Sequence, residues 1–502
     1  MNDSGRARRR VGALSAGLTL VLAGCVVGPD FQRPAPPDVH EYLPPEPPAS
    51  RTESATEAAQ RVALGSRVPA QWWELFHCPR LDETLRQAIA ASYSLAAARS
   101  TLAQAREAIL EARAAFYPQI SFGASARRGT AAGGGVSNLF SLGPSVSYSI
   151  DAFGGTRRHV EEVSALAESE RYQLAAAYLT LTGNSVVQAI TIASTRFQIA
   201  TVESLIRNDE KNLDLVQREF NAGKVARSEV LTAAAQREAD RTQLPGLHQQ
   251  LNVARHALAI LAARAPGQWS APDFDIEEFT LPDNLPVSLP SELVRQRPDI
   301  LAAEALLHAD SAAIGVATAQ MYPSITLSAS LVQEALSLAS LFTSAARSWD
   351  VGAAVDAPIS RGGALAAQRR AAIDAYNAGL AIYQETILQA FGQVADALSA
   401  IDHDAEMVAA SQRAVAITDD SLTLQRSSFA AGKTNALQLI VAENTYSSAR
   451  LGYVRAVGQR LADTAELFIA VGGGWWNEWN EGEGSLHDRQ PTDFKGPRGP
   501  GS

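Results

Sequence analysis

Apolar and polar positions along this chain follow two rhythms, and the switch between them comes at a proline in two places. In Ala319-Gln320-Met321-Tyr322-Pro323-Ser324-Ile325-Thr326-Leu327-Ser328-Ala329-Ser330 a long helical pattern stops and becomes strict alternation. Ile325, Leu327, Ala329 and Leu331 share one face, and Ser324, Thr326, Ser328 and Ser330 share the other. In Ala114-Ala115-Phe116-Tyr117-Pro118-Gln119-Ile120-Ser121-Phe122-Gly123-Ala124-Ser125, 205 residues earlier, Tyr117, Pro118, Ile120 and Ser125 match Tyr322, Pro323, Ile325 and Ser330. The same offset carries Asp151-Ala152 onto Asp356-Ala357, and an offset of 209 carries Phe220, Gly223 and Lys224 onto Phe429, Gly432 and Lys433. The chain is therefore a tandem duplication with a period far too long for a solenoid.

A helix does not run comfortably into the residue before proline, so Tyr117 and Tyr322 mark helix ends. Each copy adds a second alternating run after a loop. Val146, Tyr148 and Ile150 alternate with Ser147, Ser149 and Asp151; Trp349, Val351, Ala353 and Val355 alternate with Asp350, Gly352, Ala354 and Asp356. Four strands of about nine to eleven residues, apolar on one face and small-polar on the other, have the lengths and chemistry of a transmembrane β-barrel. Two hairpins packed on a soluble core would show the same alternation. Four strands cannot close a membrane barrel, and an open edge cannot sit in lipid, so a barrel needs several chains. Two chains would give eight strands around a filled interior, and three would give twelve around a lumen.

The remaining periodicity is helical. Leu81 to Phe116 reads as one helix, Thr156 to about Asn221 as a second, and Ser228 to Arg264 as a third interrupted at Pro245-Gly246. Ser291 to Met321, Ala364 to about Ala430 and Ala436 to Ala470 repeat the set. A helix of some 65 residues is roughly 100 Å long, a length that belongs to coiled coils and helical barrels. Ile199, Ile206, Leu213 and Phe220 step by seven, as do Val408, Val415, Leu422 and Phe429, a spacing that imposes left-handed supercoiling. Each stripe then meets a glycine turn, Asn221-Ala222-Gly223-Lys224 or Ala430-Ala431-Gly432-Lys433, which reads as a helical hairpin tip.

The ends of the chain add a destination. Arg6, Arg8, Arg9 and Arg10 precede an apolar run from Val11 to Ala23, and the stretch closes Leu22-Ala23-Gly24-Cys25. That is an export signal over residues 1–24 with a lipobox, which places a covalent lipid on Cys25. Val26 follows, where Asp would favour retention at the inner membrane. Residues 25–70 are rich in Pro and read as an extended, lipid-anchored tether. The first repeat is assigned to residues 71–264, an equatorial linker dense in Pro and acid to 265–290, the second repeat to 291–476, and a disordered tail to 477–502. With 43 Lys+Arg against 53 Asp+Glu the net charge is -10, which argues against a nucleic-acid partner. No apolar run after residue 25 approaches the length of a membrane helix. Cys78 is the other cysteine, so acylation of Cys25 leaves no intrachain disulfide.

Catalytic chemistry is absent from the text. Asp402-His403-Asp404 with Glu406 is the best metal-like cluster, but inside a long polar helix such residues form a solvated face. The chain has no Walker loop, dinucleotide fingerprint, Cys-His set or nucleophile elbow, so neither an enzyme nor a metal site is expected. Trp475, Trp476 and Trp479 read as anchors for a helix end, or as an aromatic belt or ligand site.

A set of motifs carries a family resemblance. Cys25-Val26-Val27-Gly28-Pro29-Asp30-Phe31 with Pro34, Trp72-Trp73-Glu74-Leu75-Phe76, Arg297-Pro298-Asp299-Ile300 through Ala303-Glu304 and Ile314-Gly315-Val316-Ala317 to Tyr322-Pro323, and Gly472-Gly473-Gly474-Trp475 resemble the TolC-type outer-membrane efflux lipoproteins, the NodT branch. The resemblance implies a mainly α fold with a β-barrel part. The implied assembly is a homotrimer with a twelve-stranded barrel in outer-membrane lipid, a twelve-helix periplasmic tunnel and a mixed α/β equatorial belt. The implied partners are a periplasmic adaptor (membrane fusion protein) and an inner-membrane pump, most often of the resistance-nodulation-division class. The implied function is passive export of drugs, toxic compounds or metals. The tips Gly223, Lys224, Gly432 and Lys433 would then meet the adaptor. Family members place acids just beyond the second tip, where this chain has Gln438 and Val441; its own acids stand at Glu229 and Glu443, and these four are the candidate lumen constriction. A structural coiled-coil lipoprotein would share the heptads without needing the strands, and a lipid-anchored periplasmic enzyme would need the missing catalytic set.

Overall fold

The computed structural model describes residues 26–43, 60–66, 68–130 and 135–475. Two compact units are present, each drawn from both copies of the repeat: Met1–Ala35, Ala97–Leu174 and Asp299–Ile387 in one, and Pro36–Ala96, Ala175–Pro298 and Leu388–Ser502 in the other.

The first unit holds a four-stranded antiparallel sheet of β2 (Gln119–Thr130), β3 (Val136–Ile150), β5 (Ser324–Ala335) and β6 (Arg347–Asp356), in the order β2-β3-β5-β6. The strands run 12, 15, 12 and 10 residues, and β3 starts ten residues before the alternating text. Pairing with β2 extends it, because every residue from Val136 to Ser147 finds a partner there. Near the proline ends of the strands the registers line up like with like, whereas toward the loops Arg127 meets Leu139 and Leu142 meets Gln333. Ile120, Val146, Ala329 and Val351 form one row; Gln119, Ser147, Ser328 and Gly352 form the next; Ser121, Ser145, Ser330 and Asp350 lie on the same face as the second. Serine hydroxyls satisfy one another across that polar face, at 2.8 Å for Ser121 and Ser145 and 2.8 Å for Ser125 and Ser141. On the other face Ile120, Phe122, Trp349, Val351 and Val355 are exposed in the single chain. Leading into the strands, α2 (Tyr93–Ala114) and α7 (Pro298–Ala319) end three residues before Tyr117 and Tyr322. The gap is filled by tightened turns, Tyr117 N donating to Ala114 O and Tyr322 N to Ala319 O at 3.1 Å each, which brings the chain to the proline without an α-helical residue before it.

The second unit is built on helices. α3 (Gly155–Asn221) and α8 (Ala364–Ala430), each 67 residues long, start in the first unit and end in this one. α3 turns back into α4 (Arg227–Arg241) and α5 (Gln243–Leu261), and α8 into α9 (Ala436–Ala470). Val216, Leu422, Phe429 and Leu439 form a buried cluster that joins both hairpins, with Val225 and Val230 against it. In α8 the Leu422 and Phe429 stripe is buried as its spacing implies, but in α3 Phe220 is exposed and the buried seam runs through Val202, Leu205, Ile206 and Val216. α3 meets more than one neighbour, so its apolar stripe is broader than a single heptad seam.

Several helix assignments are corrected. Leu81 to Phe116 is two helices, α1 (Pro79–Ala91) and α2, broken at Ser92, whose Oγ accepts from Leu95 N at 3.3 Å. The break in the third helix falls at Thr242, and Pro245 sits in the first turn of α5, where a missing N–H costs nothing. Ser291 to Met321 divides at Pro298 into a one-turn α6 (Pro290–Leu293) and α7. α7 is apolar and long enough to cross a membrane, with a mean hydropathy of 1.4, yet 61% of that window is buried in protein. Two short strands went unread: β1 (Arg61–Leu64) pairs in parallel with β4 (Asn284–Val287), which fastens the inter-repeat segment to the residues before Trp72. Below them Trp72, Phe76, Phe279 and Phe468 pack together, with Trp72 stacked on Phe468 at 5.4 Å.

Gly143 gives a direct test of the sheet. A Cβ there would lie 2.0 Å from the Leu331 carbonyl oxygen, whereas one at Gly123 meets nothing within 4 Å. Gly143→Ala is expected to destabilise the protein by about 1–3 kcal/mol and Gly123→Ala to leave it unchanged, read by thermal unfolding in detergent.

Candidate functional site

Two places in the chain concentrate the residues singled out by sequence. The first is the segment that follows Cys25. Cys25 itself lies outside the described residues, as do Trp476, Trp479 and the tail. From Val26 onward the backbone is extended, and it is strapped to the first unit. Val27 N donates to Phe153 O at 3.1 Å. Gly28, at φ 96°, crosses Gly315 of α7 so closely that a Cβ would lie 2.4 Å from the Gly315 Cα. Phe31 stacks on His308 at 4.4 Å, and His308 Nε2 lies 3.0 Å from Glu161. The buried Arg158 guanidinium bonds Asp30 at 2.6 Å and Glu161 at 2.7 Å, and Arg33 bonds Glu304 at 2.5 Å. Motif residues more than 270 positions apart thus form one contact network. Arg158 and Glu161, which complete it, carried no signal in the sequence beyond their charge.

The second place is the pair of hairpin tips. Gly223 adopts φ 73° and Gly432 φ 71°. At each, the following lysine N–H reaches back to close the helix: Lys224 to Glu219 O at 2.9 Å and Lys433 to Ser428 O at 2.8 Å. Both lysine side chains are exposed. Asn435 caps α9 by accepting from Gln438 N at 3.0 Å, while the α4 tip, with Ala226 in that place, has no side-chain cap.

The four constriction candidates separate. Gln438 and Val441 are exposed, and the Gln438 side chain bonds the Thr434 hydroxyl. Glu229 is half-buried, with its Oε2 enclosed and unpartnered among the described residues. Glu443 is corrected: at 6% exposure it is buried inside its own chain, bonded to Asn212 and, at 3.2 Å, to Arg426, and so does not line a lumen. Burial pushes its carboxyl above the usual range, against the pull of Arg426. Asp402, His403 and Glu406 are exposed, while Asp404 is half-buried and lies against Asp463 of α9. Among the described residues no group of His, Cys, Asp and Glu is arranged to hold a metal ion.

A family model described as outer membrane efflux protein matches residues 84–264 and 289–473. The chain belongs to this family. It is the outer-membrane channel component of an efflux system, as the resemblance of its motifs implied. The efflux protein is 27% identical over 471 residues to a nodulation protein T of Rhizobium leguminosarum bv. viciae, covering 92% of this chain and 93% of the relative. It is 30% identical over 420 residues to the pyoverdine export outer membrane protein OpmQ of Pseudomonas aeruginosa, covering 81% and 88%. Its fold matches the outer-membrane channel OprN with a TM-score of 0.81 at 26% identity, over 90% of this chain and 100% of that one.

The strap generates a prediction for the efflux protein. Gly28→Ala places a Cβ against the Gly315 backbone at a left-handed φ, so the strap is expected to detach while the sheet stays intact. Limited proteolysis should then cut within residues 26–43 of the variant at least ten times faster than in the wild type, by order of magnitude.

Proposed function

We propose that three copies of this chain form a lipid-anchored, passive export duct that carries small molecules from a periplasmic adaptor and an inner-membrane pump to the exterior. The observation that carries the reading is the four-stranded sheet, whose outer strands β2 and β6 each have one unpaired edge and whose apolar face is exposed in the single chain. Such edges are not tolerated in hydrocarbon, so copies must join edge to edge. Eight strands would fill with side chains, while twelve leave a passage, which favours three copies. The lipid on Cys25 adds an anchor and not the lumen, since one acyl group gives only marginal membrane binding. The pump, of the resistance-nodulation-division class by resemblance, supplies energy and selects cargo.

The tips at Gly223-Lys224 and Gly432-Lys433 close the periplasmic entrance at rest and receive the adaptor, whose carbonyls and acids the exposed lysines can reach. Native mass spectrometry in mild detergent is expected to give a trimer, and planar bilayers discrete openings to a defined conductance level from a closed resting state. A stable monomer or dimer without conductance would defeat the reading. Three copies of Glu229 near a narrow entrance would attract cations, an effect screened by salt. Glu229→Gln is expected to lower cation preference in a salt gradient more than Glu443→Gln, whose carboxyl is buried and paired. Unchanged reversal potentials in Glu229→Gln would place that acid outside the passage.

A further inference from the structure

Each helical hairpin contains two aspartates that face each other across it, and the two sites are built alike. In the first hairpin Asp209 of α3 lies against Asp240 of α4, each 7% exposed, beside the ion pair of Glu210 and Arg241 at 2.7 Å. In the second, Asp404 of α8 lies against Asp463 of α9. Asp209 occupies the seven-residue step between the buried Val202 and Val216, a position that packing would give to an apolar residue. The first pair lies two heptads above Gly223 and the second four heptads above Gly432.

In both pairs one partner is already supplied with donors by a glutamine one turn earlier on its own helix. Gln236 Nε2 donates to Asp240 at 3.2 Å, and Gln243 Nε2 adds a bond to its other oxygen at 2.9 Å. Gln459 Nε2 donates to both oxygens of Asp463, at 2.9 and 3.1 Å. The opposite partner has no such supply: Asp209 Oδ2 and Asp404 Oδ2 are buried without a hydrogen-bond donor among the described residues. Two carboxyls set against each other away from water do not both stay charged, so one of them holds a proton. We propose that Asp209 and Asp404 each hold that proton, and that the two shared-proton pairs are latches that keep the hairpins closed and release them when the proton leaves.

The surroundings set the order of release. Around Asp209 stand Asp240, Glu443 and Arg237, with Arg426 and Asn212 engaged by Glu443. Burial first, then the contact with Asp240 and the charges of Asp240 and Glu443, push Asp209 up to about 8, while Arg237 pulls it down. Around Asp404 stand Asp463 and Arg460; burial first, then the contact with and charge of Asp463, push it up to about 7 against the pull of Arg460. Both carboxyls are raised above their unfolded value of 3.8, so their contribution to stability is complete below that value. It is lost as pH rises, through about 7 for the second hairpin and about 8 for the first. The consequence for export rests on the reading of the tips as the entrance; the proton sites stand without it.

Infrared difference spectra of the full-length protein in detergent test the sites directly. The carbonyl band of a protonated carboxylic acid is expected at pH 6.5, titrating in two steps near 7 and 8. Asp404→Asn should remove the lower step and Asp209→Asn the upper, since each asparagine amide donates permanently to the opposite aspartate. Thermal unfolding should lose about one proton of pH dependence per substitution. No band in the wild type above pH 6, or a band that both variants keep, overturns the proposal. Bilayer conductance separates the latch from the duct. Opening frequency should rise several-fold from pH 6.5 to 9 in the wild type and stay flat in the double variant. A flat wild-type profile with the band present would overturn the latch while leaving the duct intact, and no conductance at any pH would instead sink the duct.

Discussion

A backbone N–H or C=O left unpaired in hydrocarbon costs several kcal/mol, by order of magnitude, and β2 and β6 each present a full row of them. Everything in the sheet is consistent with that cost being met by another copy. Near the proline ends the rows across β2, β3, β5 and β6 keep apolar with apolar and serine with serine, so the sheet has two chemically distinct faces there before any partner arrives. A slip of one residue at a junction between copies would invert the faces of every strand beyond it. Register inside the chain therefore fixes what edge-to-edge closure can look like, and the paired hydroxyls of Ser121 with Ser145 and Ser125 with Ser141 let the polar face stay satisfied without bulk.

The helices face the opposite problem, since their backbone is satisfied internally and only their ends need attention. At the tips the need is met locally, by a left-handed glycine and a back-reaching lysine N–H. At the other ends it is met by the strap. Asp151 accepts from Thr156 N at 2.9 Å and Arg157 N at 3.1 Å at the start of α3, and the following turn carries Arg158, which holds Asp30. The segment that follows Cys25 is thus bonded to the junction where strand becomes helix. That segment is held closest to the fold at Gly28 and Gly315, where two backbones touch and no side chain could intervene.

Much of this was legible because it depends on short-range chemistry. Prolines 118 and 323 end helices, glycines 223 and 432 reverse them, and alternation marks strands whatever surrounds them. The two long helices and α9 were readable almost to the residue for that reason. What escaped depends on partners far away in sequence. β1 and β4 are four residues each and exist because they meet. Arg158 and Glu161 look like ordinary surface charge until Asp30 and His308 are brought to them. Glu443 was read as a candidate lumen-constriction residue, and only Asn212 and Arg426 explain why it turns inward. Asp404 was legible as an acid but not as half of a pair, because Asp463 lies on the returning arm of the hairpin.

The buried aspartates are also the one feature that packing alone does not ask for. Near the tips the two hairpins are joined by Val216, Leu422, Phe429 and Leu439, whose burial is indifferent to pH. A valine in place of Asp209 would extend that seam upward from Val216 to Val202 and hold the hairpin shut under all conditions. A carboxyl pair in the same place holds it only while a proton is present, and each pair has its own glutamine to keep the second acid satisfied when the first lets go. Stability is lower than an apolar seam would give, and it is conditional. In the proposed latch the apolar cluster sets the closed arrangement, and the paired acids set how easily it is left.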